Sequence, residues 1–424
     1  MLSFEVKKLF GKFNYKFKLK ESGITILTGP NGFGKTTILK CLEAFTDINK
    51  IEYFGKLEFK EIKIIINKEI SFVLLKKKDD IQLKYNKSEP LNLKVLIKYH
   101  NYYYNDEIRQ KRRGRTYIIR KHYDYFIEKT EKIEKNYDRL KNILSEIQNI
   151  EKIYYIKDDR LFNKQYIEYN NTDRYDENDY EYNSNEYNNN DEYSIINSIP
   201  KRLKAIIDKF INEYYNNSNQ LDSTYPKRLF RNKEEISNKE FQNKRNDMNK
   251  KLSILYKYGL FSNKKEEINF KFEKKYAGAL KVYFDDFEKK YNIYKELIKK
   301  LDTFTNIVNN KLYYKKIKIS KEYGIQIFSD NYNEIKLSDL SSGEKQEIIL
   351  FFELIFSTDK SLMILIDEPE LSLHVAWQKK FIDDLFNIIK NKKINVIIAT
   401  HSPYIIGGYE ENQIDLGELY KNAK

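Results

Sequence analysis

The sequence predicts an α/β domain that is assembled from the two ends of the chain, with a helical region inserted between them. Three observations support this prediction. A glycine-rich loop, GPNGFGKTT at Gly29–Thr37, lies between a short β-branched run and an amphipathic stretch. Two apolar runs without alternation, SLMILIDE and INVIIATH, follow late in the chain and are typical of buried parallel strands. The stretch between these ends carries apolar residues at helical spacing.

The composition favours a soluble protein with more than one structural unit. A chain of 424 residues with 41% apolar and 33% charged residues is long enough for a sizeable core. No run approaches the roughly eighteen apolar residues that cross a bilayer, and the N-terminal MLSFEVKKLFGK lacks the apolar core of a signal peptide. The single cysteine, Cys41, excludes an internal disulfide and a cysteine metal cluster. We therefore expect a cytoplasmic location and no membrane partner.

Residues 1–95 are predicted to form the first part of the α/β domain. The run ITILTG is a short strand ending in glycine, and KTTILKCLEAF follows it with Ile38, Leu42 and Phe45 on one helical face. The stretches KLEFKEIKIII and ISFVLLK then alternate between apolar and polar residues. Such alternation predicts an antiparallel β meander.

Residues 96–311 are predicted to form the inserted helical region. One apolar seam steps by four and three residues from Ile133 to Ile147, and a second seam runs from Leu280 to Leu312. Apolar residues at this spacing indicate either paired helices in a short antiparallel coiled coil or helices packed in a globular subdomain. Between the seams, residues 169–194 are rich in Asn, Tyr and acids without periodicity. We expect this segment to be a mobile surface insertion.

Residues 312–424 are predicted to complete the α/β domain. KLYYKKIKIS and GIQIFSD indicate a hairpin joined around Gly324. The two apolar runs follow and are separated by a helix that contains WQKKFIDDLFNIIK. The alternation of strand and helix favours a parallel sheet.

The glycine-rich loop fits the phosphate-binding pattern G-x-x-x-x-G-K-[ST] and lies between a strand and a helix, as that pattern requires. Gly32 and Gly34 allow successive backbone N–H groups to point inward, and the helix N-terminus adds positive potential. Lys35 would contact the β- and γ-phosphates, and the Thr36 hydroxyl would be a Mg²⁺ ligand. The candidate nucleotide-binding residues are Gly29, Pro30, Asn31, Gly32, Phe33, Gly34, Lys35, Thr36 and Thr37.

Two acids and a histidine supply the remaining candidate catalytic groups. Asp367 ends a buried strand, where a carboxylate can hold Mg²⁺ through water. Glu368 follows it and is placed to orient the attacking water; the alternative is that both acids cap the next helix. His401 ends the last apolar strand, at the sheet edge where ligands bind in such folds, and would contact the γ-phosphate. Together these residues predict an ATPase that uses ATP and Mg²⁺.

The segment LSSGEKQ, Leu340–Gln346, resembles the signature motif of ABC-type ATPases, in the Ser-Gly-Glu form found in SMC-like and RecF-like proteins. This resemblance implies that the segment closes over a nucleotide bound by a second subunit, so that ATP is sandwiched in a homodimer. Ser341 and Gly343 occupy the positions that contact the γ-phosphate in that family. Ser342 replaces a glycine common in the wider family, and Glu344 follows. The alternative function of the segment as a helix N-cap is compatible with this role.

The motifs LSSGEKQ, LIDEPELSLHVAWQ and IIATHSPYII, in this order, resemble the AAA-family ATPases of the RecF and OLD group. That group includes ATPase subunits of bacterial anti-phage systems, such as Septu-type ATPases. The resemblance covers roughly residues 1–90 and 312–408 and implies an ABC-ATPase head of the RecF/SMC-like type. Residues 370–374 fall where that family has its D-loop. Gln165, in KIYYIKDDRLFNKQ, is the candidate counterpart of the glutamine that contacts the metal ion.

The sequence departs from the OLD nucleases, which carry a nuclease domain after the ATPase. Only 23 residues follow His401. We therefore expect an ATPase alone, whose effector chemistry belongs to a partner. The leading hypothesis is an ATP-gated homodimer that acts in anti-phage defence and controls a separate effector nuclease. The alternatives are a RecF-like repair ATPase that binds DNA directly and the nucleotide-binding subunit of an ABC transporter, against which the RecF/OLD-like segments argue.

The net charge of +14 indicates an anionic partner or, equally, a codon bias toward lysine. The cluster Arg109–Lys121 holds seven basic residues and no acid. Such a cluster is either a solvated loop or a phosphate-backbone contact. DNA is thus a candidate partner through this cluster and the helical insertion.

Overall fold

The computed structural model describes residues 2–67, 69–78, 80–101, 127–150, 152–157, 195–261, 271–358, 363–390 and 394–422. Three predicted features, Gln165, the cluster Arg109–Lys121 and the segment 169–194, lie outside these residues. Backbone contacts divide the chain into two compact units. The first unit comprises Met1–Asp158 and Thr358–Lys424, and the second comprises Asp159–Ser357.

The secondary-structure elements are numbered along the chain. The strands are β1 (Leu2–Leu9), β2 (Phe13–Lys18), β3 (Ile24–Thr28), β4 (Glu61–Ile66), β5 (Ile70–Lys77), β6 (Asp80–Tyr85), β7 (Leu91–Asn92), β8 (Ile153–Ile156), β9 (Lys315–Ser320), β10 (Gly324–Ser329), β11 (Glu334–Ile335), β12 (Met363–Asp367), β13 (Asn395–Ala399) and β14 (Gln413–Asp415). The α-helices are α1 (Lys35–Ala44), α2 (Tyr53–Lys56), α3 (Leu93–His100), α4 (Ile127–Ile150), α5 (Ile195–Arg231), α6 (Asn238–Lys257), α7 (Ala277–Asn309), α8 (Ser342–Phe352), α9 (Val375–Gln378), α10 (Phe381–Ile389), α11 (Pro403–Ile406) and α12 (Leu416–Asn422).

A parallel sheet forms the centre of the first unit. Its strand order is β14-β3-β13-β12-β8, and all neighbouring strands are parallel. Every residue of β3 and β12 is buried, which explains why their sequences show no alternation. The prediction of buried parallel strands is confirmed. Because β3, β12 and β13 are parallel, the loops that follow them leave the sheet at the same edge.

An antiparallel sheet of six strands forms the second layer of the first unit, with the order β2-β1-β4-β5-β6-β7. The buried and exposed positions alternate along β2 and β4, as expected for strands with one face on the core. The predicted β meander is confirmed. Helix α1 buries Ile38 and Leu42 in the core of this unit, together with Phe45 just beyond its end.

The first apolar seam packs within the first unit. Tyr137, Leu140, Leu144 and Ile147 of α4 are buried in the same core cluster as residues of the antiparallel sheet. The next strand, β8, pairs with β12 in the parallel sheet. The compact units therefore do not follow the predicted boundaries at 95 and 312, because an apolar seam at helical spacing packs on a sheet as well as on a helix.

The second unit is built from three long helices and a small sheet. Helix α7, which carries the second seam, packs on α5 and α6 and buries Phe284, Leu297, Leu301 and Phe304. This packing supports the alternative of helices within a globular unit. The predicted hairpin is confirmed, since β9 pairs antiparallel with β10, and β11 adds a third strand.

Two buried contacts shape the second unit. Gly324 begins β10 with a left-handed backbone, φ +70°, and a side chain there would collide with the backbone of Pro200 in α5. Residues 353–357 continue α8 as a π-helix. Arg202 of α5 donates to Glu353 Oε1 at 2.6 Å, to Glu353 Oε2 at 3.2 Å and to Ser357 Oγ at 3.0 Å. Glu353 is fully buried, so this arginine supplies the charge partner that burial demands.

No helix in the described ranges has both the length and the apolar character that crossing a membrane requires.

Candidate nucleotide-binding site

The glycine-rich loop leads directly from β3 into the N-terminus of α1. Gly34 is the N-cap residue with φ +89°, and a side chain there would meet Leu9 Cδ2 at 2.9 Å. At Gly32, which has φ +79°, a Cβ atom would meet no described atom within 4 Å. No side chain caps this helix, and its first turn contains no acid. No capping side chain therefore competes with an anion for the first N–H groups of α1.

Aromatic side chains support the loop from the first unit's antiparallel sheet. The Tyr15 hydroxyl donates to the Phe33 carbonyl at 2.9 Å. The Phe33 ring lies 4.9 Å from the Phe13 ring and 6.0 Å from the Tyr420 ring, measured between centroids. Sequence reasoning missed this support, although the alternation in FNYKFK marks Phe13 and Tyr15 as residues on the same face.

Lys35 and His401 meet across the sheet edge. The Lys35 ammonium donates to the Gly29 carbonyl at 3.0 Å and lies 2.5 Å from His401 Nε2. Because an ammonium can only donate, Nε2 accepts and the imidazole is neutral. Burial lowers the pKa of Lys35, and the nearby carboxylates of Glu368, Glu370 and Asp367 oppose that shift. Burial also lowers the pKa of His401, with a further lowering by the charge of Lys35.

Both carboxylate oxygens of Asp367 accept hydrogen bonds. Thr36 Oγ1 donates to Oδ1 at 3.0 Å, and the Tyr155 hydroxyl donates to Oδ2 at 2.8 Å. Asp367 is 1% exposed. The Thr36 hydroxyl, in the first turn of α1, and the Asp367 carboxylate lie side by side. Oxygen donors of these two kinds suit Mg²⁺. No group of three or more His, Cys, Asp and Glu side chains within the described ranges is arranged to hold a metal ion.

Tyr155 was not identified from the sequence. Its strand, β8, lies beside β12, and that pairing is a property of the folded sheet. The first part of the segment KIYYIKDDRLFNKQ forms β8, and residues 158–165 lie outside the described part of the chain. The position of Gln165 itself stays a prediction.

Two glutamates shape the loops after β12 and β13. Glu368 has φ +45°, a left-handed conformation that is rare for a glutamate, and its N–H donates to the Ala399 carbonyl at 2.9 Å. Its Oε1 lies 3.4 Å from His401 Nε2. Glu370 Oε1 accepts from the backbone N–H groups of His401 at 2.5 Å and of Ser402 at 3.1 Å. Glu370 therefore holds the loop that carries His401, a contact that its predicted D-loop position did not suggest.

The predicted signature segment lies in the second unit, at the N-terminus of α8. Ser341 is the N-cap residue, and its hydroxyl accepts from the Glu344 N–H at 3.3 Å while its own N–H donates to Glu344 Oε2 at 2.9 Å. Lys315 donates to Glu344 Oε1 at 2.8 Å. Burial alone would raise the pKa of Glu344, but hydrogen bonds from Lys315 and Ser341 lower it. Ser341, Ser342 and Gly343 are exposed, and a side chain at Gly343 would meet no atom within 4 Å.

The structure thus brings five of the predicted side chains together in the first unit: Lys35, Thr36, Asp367, Glu368 and His401. Strands β12 and β13 end, and helix α1 begins, at one edge of the parallel sheet. The alternative in which Asp367 only caps a helix does not fit, because its carboxylate faces Thr36 and Tyr155. The charge of Lys35 can bind an anionic group, and the Glu368 carboxylate can orient a nucleophile next to that group.

Comparison with curated proteins yields two partial relatives. The chain is 33% identical over 97 residues to the Retron Vc95 probable ATPase of Vibrio cholerae serotype O1 biovar El Tor, which covers 20% of this chain and 18% of that protein. It is 26% identical over 148 residues to Protein ea59 of Escherichia phage lambda, covering 32% of this chain and 27% of that protein. The chain therefore spans less than a third of the length of the curated relatives that it matches.

Among solved structures, the chain is similar to Smc head domains. One is the Pyrococcus furiosus Smc head with an extended coiled coil bound to the C-terminal domain of ScpA, with a TM-score of 0.42, 14% identity and coverage of 98% of this chain and 93% of that chain. Another is the SMC head domain from Thermotoga maritima, with a TM-score of 0.37, 13% identity and coverage of 95% and 90%.

A family model described as AAA ATPase domain matches residues 8–406. This match contains the glycine-rich loop, both acids after β12 and the histidine after β13. The match also covers most of the chain. The chain therefore belongs to the AAA ATPase domain family.

Proposed function

We propose that this protein binds and hydrolyses ATP at the edge of the parallel sheet in its first unit, and that the nucleotide switches it between monomer and dimer. The observation that carries the proposal is the convergence of Lys35, Thr36, Asp367, Glu368 and His401 at that edge. A phosphate-contacting lysine, a hydroxyl–carboxylate pair for Mg²⁺ and a residue that orients water are parts that enzymes of phosphoryl transfer use.

The triphosphate would bind against the open N–H groups of α1. Lys35 would exchange its contacts with Gly29 and His401 for oxygens of the β- and γ-phosphates. Thr36 and Asp367 would hold Mg²⁺, which when bound neutralises charge on the phosphate oxygens. Tyr155 would keep the Asp367 carboxylate aimed at this position through its 2.8 Å hydrogen bond.

Glu368 would position the attacking water in line with the γ-phosphorus. The water oxygen forms the new bond to phosphorus, the bond to the bridging oxygen breaks with its electron pair leaving on ADP, and the water proton passes to the phosphate product. The neutral imidazole of His401, which lies beside both Lys35 and Glu368, would contact the γ-phosphate. Glu368 has a left-handed backbone, and its side chain does not cap the short helix that follows it.

The signature segment would act on the nucleotide of a second subunit. Support comes from the resemblance of LSSGEKQ to the ABC signature and from the exposure of Ser341, Ser342 and Gly343 at a helix N-terminus. Glu344 would keep Ser341 in place through the capping box. Two copies of the chain would thus hold two ATP molecules between them.

We further propose that the dimer is the ATPase and sensor part of a cytoplasmic anti-phage system and controls a separate nuclease or other toxic effector. The resemblance to the RecF/OLD group and the partial similarity to a retron ATPase support this role. A RecF-like ATPase that binds DNA directly, with no effector, is the alternative.

The enzymatic part is tested by ATP turnover of two variants. Lys35→Ala removes the phosphate contact and should abolish ATP binding, whereas Glu368→Gln should bind ATP but lower kcat by about 10²- to 10⁴-fold. Lys40→Ala, an exposed lysine on the same helix, is the matched control and should retain full activity. Undiminished turnover in either Lys35→Ala or Glu368→Gln would exclude the proposed chemistry.

The cellular role is tested by purifying tagged Glu368→Gln protein from its host with ATP present and identifying the copurified proteins by mass spectrometry. A nuclease or another toxic protein encoded nearby supports the effector hypothesis. DNA with repair proteins and no effector favours the RecF-like alternative. Membrane permease subunits would contradict both. Lys35→Ala protein, which should not hold ATP, is the control for nucleotide-dependent capture.

A further inference from the structure

The small sheet of the second unit has an outer face that combines lysine and aromatic side chains. In β9 the inward residues Ile317 and Ile319 are buried, so Lys316 and Lys318 point outward and are exposed. Phe328 of β10 is the direct neighbour of Lys316, and the Lys318 ammonium lies 6.0 Å from the centre of its ring. Neither Lys316 nor Lys318 forms an ion pair with another described residue.

Two exposed tyrosines stand at one end of this face. Tyr314 precedes β9 and is 81% exposed, and Tyr332, in the turn after β10, is 88% exposed. The Asp330 N–H donates to the Tyr314 carbonyl at 3.1 Å, so the two loops are joined. Both tyrosines have left-handed backbones, with φ +59° for Tyr314 and +61° for Tyr332. Because both side chains are exposed, their rings are accessible to a ligand.

Five residues together form this surface, the tyrosine–lysine face: Tyr314, Lys316, Lys318, Phe328 and Tyr332. Exposed tyrosines alone would suit a protein partner as well as a nucleic acid. Lysine, however, is depleted in protein–protein interfaces, whereas a groove with free lysines and stacking rings is the usual site for an unpaired strand. Lysines on the edge strand β9 also discourage strand pairing, but that role leaves the two tyrosines unexplained.

We propose that the tyrosine–lysine face binds an unpaired nucleic-acid strand. Its bases would stack on Tyr314, Phe328 and Tyr332, and its phosphates would lie along Lys316 and Lys318. Single-stranded DNA and single-stranded RNA share this chemistry, and the base stacking carries no sequence preference.

The face adjoins the signature segment within the second unit. Lys315 begins β9, directly after Tyr314, and it donates to Glu344, which caps Ser341. A strand on the face would attract Lys315 away from Glu344 and loosen the cap. Loosening of the cap matters for ATP turnover only if the proposed function holds. Binding of the strand to the face does not depend on the proposed function.

The stacking is tested with a fluorescein-labelled oligothymidine strand and fluorescence anisotropy. The variant Tyr314→Asn/Tyr332→Asn removes both rings but keeps a residue that accepts left-handed backbone. We expect each lost ring to weaken binding roughly fivefold or more. Tyr276→Asn, another exposed tyrosine of the same unit, is the matched control and should bind like the wild type. Unchanged affinity of the double variant would overturn the proposal.

The phosphate contacts are tested independently with Lys316→Gln/Lys318→Gln, two exposed positions whose change leaves the core untouched. The dependence of log K on log salt should become shallower by about 1.4 for this variant. The oligothymidine annealed to its complement should bind more weakly than the free strand, and an oligouridine strand shows whether RNA is the better ligand. Equal binding of duplex and single strand, or an unchanged salt slope, would contradict the proposal. ATP turnover measured without nucleic acid reports separately on the proposed function.

Discussion

At the scale of single residues, Asp367 is a buried carboxylate whose oxygens are both held by hydrogen bonds. Its carboxylate is almost fully enclosed, and two hydroxyls, from Thr36 and Tyr155, satisfy its two oxygens. Thr36 would turn to the metal ion when nucleotide binds, while Tyr155 would stay. The tyrosine is therefore the permanent support of the proposed ligand, and the threonine is its exchangeable partner.

We predict that Tyr155→Phe weakens both the fold and the use of Mg²⁺. Loss of a hydrogen bond to a buried carboxylate should cost about 1.5 to 3 kcal/mol of unfolding free energy. The carboxylate, less well held, should need a higher Mg²⁺ concentration for half-maximal ATP turnover. Urea unfolding measures the first effect and a Mg²⁺ titration the second. A stability loss with an unchanged Mg²⁺ requirement would assign Tyr155 to the fold alone.

Thr36 was predictable from the glycine-rich loop pattern, and Asp367, Glu368 and His401 were predictable because each lies at the end of an apolar run in the sequence. Tyr155 was not, because its role depends on which strand lies beside β12. The same reason explains the contact of Glu370 with the loop after β13. The local sequence reveals the residues at the end of each strand, but strand order depends on packing between distant segments.

At the scale of elements, α3 and α4 are joined by a buried histidine. Tyr137 of α4 lies with its hydroxyl 2.6 Å from His100 Nδ1, and His100 Nε2 lies 3.1 Å from Asn49 Oδ1. The asparagine oxygen can only accept, so Nε2 carries the proton and Nδ1 accepts from the tyrosine. Burial, together with the charge of Lys141, lowers the pKa of His100.

We predict that His100 makes the fold acid-sensitive. The unfolded chain takes up a proton on this histidine near pH 6.5, whereas the folded protein takes it up only at lower pH. Falling pH between these two values therefore favours the unfolded state. The Tm of the wild type should drop further between about pH 7 and pH 5 than the Tm of His100→Gln. Equal drops for the two proteins would show that the histidine does not contribute.

The π-helix after α8 provides a second prediction at this scale. Arg202→Met leaves Glu353 buried without its charge partner and should cost about 3 to 5 kcal/mol of unfolding free energy. The double variant Arg202→Met/Glu353→Leu removes both charges and should recover most of this loss. Urea unfolding of the two single variants and the double variant gives the coupling. An additive double variant would mean that the pair does not act as a unit.

At the scale of the whole molecule, the chain joins two compact units whose boundaries local patterns did not reveal. The seam of α4 was predictable as a helix, and its partner was not, because a sheet and a second helix accept the same apolar spacing. The meander, the parallel strands and the hairpin were predictable because each one depends on neighbouring residues. The proposed dimer also belongs to the scale of the whole molecule, and a single substitution can test it.

We predict that Gly343→Gln separates stability from activity. The position is open and lies inside α8, so glutamine fits and should raise the free energy of unfolding by a few tenths of a kcal/mol, up to about 1. The longer side chain should block a second subunit's γ-phosphate and lower ATP-dependent dimerisation, measured by light scattering. Lys299→Gln, at an exposed position of α7 in the same unit and outside this segment, is the control. A normal dimer in the Gly343→Gln variant would exclude a role of this segment across subunits.

The contact between Gly324 and Pro200 has a consequence for the history of this protein. A side chain at position 324 would strike the backbone at position 200, so a residue other than glycine requires the helix backbone at position 200 to lie elsewhere. Relatives that lack the glycine should also show an altered helix at the proline, whereas relatives that keep both share the same junction of helix and hairpin. Gly324 thus sets how closely the hairpin can approach the helix that carries Pro200.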